Sequence, residues 1–188
     1  MPLPMPLAEA MEKRMSYSGG NSESEISLEV WGTLLGLALK RRKKSIKRNY
    51  PSGGALYPVE TYVITSVMHD SKAAVFHYNP TDHTLEKLWD LPPDLQIKDL
   101  VPARKEFLFS SLIVFTSCWK RSSAKYGNLA YIHALLEAGH MSQNILLAST
   151  ALQIKSRPMA AFQDGLITSL LDLDPEQEQL VHAIVVSK

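Results

Sequence analysis

The longest unbroken pattern in this 188-residue chain runs from about Leu129 to Leu152. Ile132, Leu135, Leu136, Ile145, Leu146 and Leu152 are interleaved there with the small residues Ala138, Gly139 and Ala148. The spacing predicts one long central helix, small enough along one stripe for close packing against other elements. Few folds of this size can be built without giving such a helix the middle of the molecule.

The rest of the chain supplies strands and shorter helices. Leu7 to Met15 reads as a helix and Ser16 to Glu25 as a polar loop. Ser27 is a candidate N-cap for a helix that buries Leu28, Trp31, Leu34, Leu35 and Leu39. Val59 to Met68 alternates as a strand, and two short strands flank the Asn79-Pro80-Thr81-Asp82 turn. Leu95 to Leu100 and Pro102 to Phe109 suit short helices. Ser111 to Ser117 is almost continuously apolar, the pattern of a strand buried on both faces. Leu166 to Leu171 reads as a short helix, and "QLVHAIVVSK" as a closing strand.

Composition limits the possibilities. With 45% hydrophobic residues the chain can bury one substantial core, and one domain over residues 1–188 is expected. A net charge of +1 gives no global reason for a nucleic-acid or membrane partner. The single cysteine, Cys118, lies in an apolar strand-like run and reads as a buried structural thiol. No apolar run reaches the ~20 residues of a membrane span, and the N-terminus lacks signal-peptide order, so a soluble, cytoplasmic protein is expected.

Four stretches carry candidate chemistry. In "RNYPSGGALYPVETYV" the glycine pair leaves amide N–H groups uncovered beside Arg48, where a flat or anionic group could approach. The preceding "KRRKKSIKR", Lys40 to Arg48, holds seven cations in nine positions. Running into exposed amides, it suits a phosphate held by Arg48, with the other cations as solvated surface. "HALLEAGH" brings His133, Glu137 and His140 to one side of a helix. A fourth ligand is missing, so packed or hydrogen-bonded roles are expected and no metal site is assigned. "SAKYGNLAY" places Lys125 beside Tyr126 in a loop before the central helix. An ammonium favours tyrosinate and burial lowers a lysine, so a partly buried pair of this kind can accept a proton.

Taken together and in order, "RNYPSGGALYPVETYV", "KYGNLAYIHALLEAGHMSQNILLASTAL" and "FQDGLITSLLDLDPEQEQLVHAIVV" resemble the FMN-dependent nitroreductase superfamily, in its SagB-type, azoline-oxidising branch. The resemblance implies an α+β, nitroreductase-like fold with an antiparallel-dominated sheet between helices. It implies FMN as cofactor and a homodimer in which both chains contribute to each flavin site. Arg14 and Ser16 match an Arg-x-Ser element that grips the flavin phosphate, and Arg48 joins them. Ser52, Gly53 and Gly54 lie along the flavin; Gln143, Asn144 and Lys188 are further contacts. Lys125 and Tyr126 match the branch's acid–base pair. The substrate would be a small or peptidyl azoline oxidised by hydride transfer, with a cyclodehydratase as partner.

The chain departs from the family pattern at several positions. Leu129 stands where an arginine is common, and Gln153, Ala160 and Ala161 stand where glycines are usual. Each added β-carbon obstructs close approach of backbone to a ring. The chain also begins almost directly at the core pattern, which fits a stand-alone enzyme or a divergent one. Two alternatives remain open: a general NAD(P)H-dependent nitro- or quinone reductase, and a scaffold that kept the fold without catalysis.

Overall fold

The computed structural model describes residues 5–17, 25–66, 72–102, 108–159 and 161–188. Their helices are α1 (Leu7–Lys13), α2 (Leu28–Leu39), α3 (Lys120–Tyr126), α4 (Leu129–Ala151) and α5 (Asp164–Leu170). The strands are β1 (Val59–Ser66), β2 (Ala73–Asn79), β3 (Thr84–Asp90), β4 (Ser111–Cys118), β5 (Lys155–Met159) and β6 (Glu178–Ser187). The strands form one sheet in the order β3-β2-β1-β4-β6-β5, with every neighbouring pair antiparallel.

Period-two alternation divides the core between the two faces of this sheet. Val59, Val63, Ile113, Phe115, Ile184 and Val186 pack with α2 and α4. Ile64, Leu112, Val114, Ala183 and Val185 pack instead with Ile167 and Leu170 of α5. β4 lies near the middle, and seven of its eight residues are buried, as its unbroken apolar run requires. The α2 start is capped as expected, Ser27 Oγ accepting from Val30 N. On α4 the small residues Ala130, Ala134 and Ala138 are buried, which lets its 23 residues run close over α2 and the sheet.

Some local expectations need correction. Lys125 and Tyr126 are the last two residues of a short helix, α3, and not part of a loop. β5, absent from the sequence reading, is "KSRPM", two cations and a proline without alternation. It is an edge strand paired only to β6, and there Pro158 is tolerated because its missing N–H costs no ladder bond on the open side. Leu95 to Leu100 narrows to one 3-10 turn at Ile97–Leu100. The helix expected from Pro102 falls largely on residues 103–107, outside the described residues, as do most of the 16–25 loop and Met68.

Close packing along α4 is testable. Ala138 is 2% exposed within the helix-bearing core, so Ala138→Leu should overpack the contact and cost about 1–3 kcal/mol. Urea unfolding would show this as a lower midpoint; an unchanged midpoint would mean that the helix stands off its neighbours.

Candidate functional site

The sequence Ser52-Gly53-Gly54-Ala55-Leu56-Tyr57 folds into a tight, left-handed turn ahead of β1. Gly54 has φ 62°, but so do two residues that gain nothing from it, Ala55 at 55° and Tyr57 at 49°. Side chains lose roughly 1–2 kcal/mol in that region, so the turn must be held from outside. Ser52 Oγ accepts from Tyr57 N at 2.9 Å, Tyr57 Oη accepts from Arg48 N at 2.9 Å, and Arg121 Nη1 donates to Tyr57 O at 3.1 Å. Tyr57 is thus tied at three atoms.

The same tyrosine carries Arg48. The guanidinium lies 4.5 Å from the Tyr57 ring centroid and donates to Tyr50 Oη at 2.7 Å. Burial pushes the Tyr50 phenol well up, so it stays neutral. Arg48 therefore keeps its full charge at the edge of a cleft of about 340 Å³, lined also by Arg42, Lys47, Ser52 and Tyr57 and by no acidic residue. An anion suits this lining, since arginine offers paired donors and the cleft presents no competing carboxylate.

The inner side of the turn explains the glycines in a way the sequence alone did not. A Cβ on Gly54 would stand 2.6 Å from Tyr126 Oη and 2.9 Å from Lys125 Nζ; one on Gly53 would stand 3.1 Å from His133 Nδ1. The missing side chains leave room for the ends of three others. Tyr126 meets the His133 ring edge-on at 4.4 Å between centroids, and Lys125 Nζ lies 5.3 Å from the Tyr126 ring. Two motifs about 70 residues apart in sequence thus form one cluster, with His133 joining from α4. Lys125 is exposed and Tyr126 half-buried, so the lysine lacks the burial expected of the pair from sequence, while its end stays open to a bound molecule.

Beneath the turn sits Glu137, one helical turn beyond His133 and 1% exposed. Burial pushes its carboxyl from the ordinary value of 4.5 up to about 7, against the pull of the Ser52 hydroxyl, the Val59 amide and the Arg48 and Arg121 guanidiniums. Its Oε1 and the His133 Nδ1 are buried without a hydrogen-bond partner among the described residues. His140, by contrast, is exposed, and no group of three metal-ligating side chains forms among the described residues. Glu137 and His133 serve the turn. Their "HALLEAGH" spacing drew attention to them in the sequence, but the surface they face is tertiary.

Arg121 links this turn to the opposite sheet face. It pairs with Glu60, which also bonds His77 at 2.8 Å. Burial raises Glu60, but the His77 hydrogen bond and the Arg121 charge outweigh it and hold the carboxyl below its usual range. Farther along, Glu178 accepts from Thr116 and from Tyr62, and from the Cys118 thiol at 3.2 Å. Burial and then Glu178 push that thiol up to about 12, which keeps it protonated and inert.

The remaining sequence candidates lie elsewhere. α1 shares an apolar groove with Leu147, Ala148 and Ala151 near the far end of α4. Arg14 caps α1, and Tyr17 N then donates to Ser156 O of β5 at 3.1 Å. Lys188 follows Ser187, which pairs with Lys155, and Lys155 Nζ stands 5.2 Å from the Tyr17 ring. Arg14, Ser16 and Lys188, with Lys155 as a cation the sequence reading missed, thus gather at the β5–β6 end. Eleven residues of α4 separate Glu137 from Ala148, about 16 Å along the axis. Arg14 is not among the residues lining the Arg48 cleft, although Asn49, next to Arg48, lines both that cleft and the α1 groove. Gln143 is exposed, and Asn144 is a structural clamp whose Nδ2 donates to both Ala38 O and Asn49 O at 3.1 Å. Gln153 has φ 57° just after α4, the left-handed helix stop where a glycine would fit best. Ala161 is exposed and Ala160 lies outside the described residues.

Glu137 makes a testable contribution to pH dependence. Between 4.5 and about 7 the folded carboxyl keeps a proton that the unfolded chain releases, so its contribution to stability falls as pH rises through that window. The gap corresponds to roughly 3 kcal/mol. Glu137→Gln should therefore gain stability over the parent between pH 5 and pH 8, read from unfolding at both values. Parallel profiles would show that the carboxyl is not desolvated.

Comparison with known proteins places these features. The Nitroreductase family profile matches residues 11–188. The Escherichia coli microcin B17-processing protein McbC is 29% identical over 136 residues, covering 69% of this chain and 50% of that protein; the chain spans half the length of this relative. A chain of the E. coli microcin synthetase McbBCD complex, solved with truncated pro-MccB17 bound, superposes with TM-score 0.82 at 24% identity over 93% of this chain and 70% of that one. A Desulfovibrio desulfuricans protein solved in complex with FMN superposes with TM-score 0.65 at 18% identity over 97% of this chain and 86% of that one. Its sequence match from residue 11 to residue 188, carried on an antiparallel sheet shared with these structures, makes this chain a member of the Nitroreductase family.

Proposed function

We propose that the chain is an FMN-dependent oxidoreductase of the SagB type, oxidising an azoline in a small or peptidyl substrate. The observation that carries this reading is the packing of Lys125 and Tyr126 against Gly54, on a turn whose Ser52, Ala55 and Tyr57 line the anion cleft; to this pair we assign the proton. Similarity to McbC and to a chain of a synthetase complex supports the choice of substrate class and a cyclodehydratase as partner.

The residues present fit FMN. The acid-free cleft at Arg48, with Arg42 and Lys47, holds anionic oxygens, and Ser52 lines the same cleft, while Gly53 and Gly54 let the turn pack down on Lys125, Tyr126 and His133 beside it. Arg14, Ser16, Lys155 and Lys188 form a second cationic end. Arg14, Ser16 and Lys188 lie outside the lining of the Arg48 cleft, and in this reading a complete site takes groups from two copies of the chain. Leu129, Ile132 and Leu136 of α4, 57%, 51% and 56% exposed, form an apolar stripe that a second copy covers. Leu129 thus serves the interface where relatives of this branch carry a cation.

When bound, FMN supplies a two-electron acceptor for hydride. The protein handles the proton. Lys125 and Tyr126 take it from the ring carbon derived from the amino acid's α position, while hydride departs from the adjacent carbon; loss of both converts azoline to azole.

Tyr126→Phe and Lys125→Ala should each leave FMN bound and slow azoline oxidation by roughly 10²–10⁴-fold, with non-additive losses in the double variant. Parent rates in both would return the pair to a structural role, and rapid flavin reduction by NAD(P)H insensitive to either change would mark a general nitro- or quinone reductase. Dilution below the dimer dissociation constant should release flavin. A monomer in light scattering that retains stoichiometric FMN would show the site to be self-contained.

A further inference from the structure

The cation run from Lys40 to Arg48 is only partly explained by the cleft. It forms a small hairpin, closed by an antiparallel bridge between Arg41 and Arg48 and by Arg42 N donating to Lys47 O at 2.8 Å. Three of its cations have local duties. Lys40 caps α2, where positive charge offsets the helix dipole; Arg41 Nε donates to Ser45 O at 2.7 Å; Arg48 belongs to the cleft. Arg42, Lys43, Lys44 and Lys47 remain exposed, with Ile46 70% exposed among them. Among the described residues no carboxylate forms an ion pair with any of the seven.

Charge is strongly polarised across the chain. Of its 20 cations seven lie in this hairpin, leaving 13 against 19 acids, so the remainder carries −6 beside a tip region of +7. A long polyanion such as nucleic acid would meet repulsion once it ran past the hairpin. A short acidic segment would not. Residues 42–47 span about 10 Å as two antiparallel arms, enough to face three or four residues of extended peptide. Arg42 and Lys47 also line the cleft beside Ser52 and Tyr57, so the positive surface runs continuously from the candidate site to the tip.

We propose that this hairpin docks a short acidic segment flanking the reacting ring of a peptide substrate. The inference rests on the peptidyl reading of the site, but its binding test does not need turnover. Fluorescence anisotropy on the FMN-loaded 188-residue chain would use three probes: a labelled peptide with four consecutive glutamates, its glutamine counterpart, and a single-stranded DNA 20-mer. The glutamate peptide should bind at least about tenfold more tightly than the glutamine peptide at low salt, and less tightly as salt rises. Lys43→Glu with Lys44→Glu, both at the exposed tip, should remove that preference and leave FMN content unchanged. Lys43→Gln with Lys44→Gln, a gentler change, should weaken it in part. An azoline peptide with an acidic flank should show a lower KM than one with a neutral flank, with kcat unchanged. Equal binding of the two peptides, indifference to the tip substitutions, or tighter binding of the DNA would each overturn the proposal. Glutamate-selective, tip-dependent binding without any azoline oxidation would uphold the docking surface and sink the azoline reading instead.

Discussion

Gly54 meets the end of α3 at a separation that no side chain permits, since a Cβ there would fall 2.6 Å from Tyr126 Oη and 2.9 Å from Lys125 Nζ. Its backbone also stands at φ 62°, where L residues are strained. Much else depends on this contact. The turn can lie flat on α3 and α4 only because two consecutive positions lack side chains, and in lying flat it sets Ser52, Tyr57 and Arg48. The strain at Ala55 and Tyr57 is then offset by bonds from Ser52, Arg48 and Arg121, which come from both sides of the turn in sequence.

Charge is handled around this contact with little waste. Arg48 is stacked on Tyr57 and bonded to Tyr50, neither of which neutralises it, so it keeps its attraction for an anion. Glu137, below the turn, is pushed up by burial to about 7, so near neutrality it is only partly ionised and offsets that attraction only in part. Arg121 is occupied by Glu60 and Tyr57 and acts as a strut. α4 organises the whole arrangement, with its buried alanines against the core, His133 and Glu137 under the turn, and Leu129, Ile132 and Leu136 left outward.

Much of this was legible in the sequence, because it follows from periodicity and local chemistry. The long helix, the doubly buried β4, the hairpin at Asn79 to Asp82 and the Ser27 cap each depend on residues within a few positions of one another. β5 was not legible, since a five-residue edge strand with Pro158 draws its order from β6 and carries no alternation of its own. The α3 helix was missed for a related reason. It is two turns long, lacks a side-chain cap and is stabilised mainly by what it packs on.

The sequence by itself determined the types of group available at the site: a glycine pair after an arginine, a Lys-Tyr dipeptide, and a histidine and glutamate one helical turn apart. Only the tertiary structure decided that these face one another, because separations of about 70 residues are closed by the sheet and not by any local rule. It also decided the uses of individual residues that look interchangeable on paper. Asn144 became a clamp and Gln143 a surface residue although they are adjacent, since consecutive helix positions point about 100° apart. Arg14 and Arg48 both suit a phosphate by type, but only Arg48 lines the cleft beside Ser52 and Tyr57, while Arg14 ends α1 ahead of the Tyr17 bond to β5.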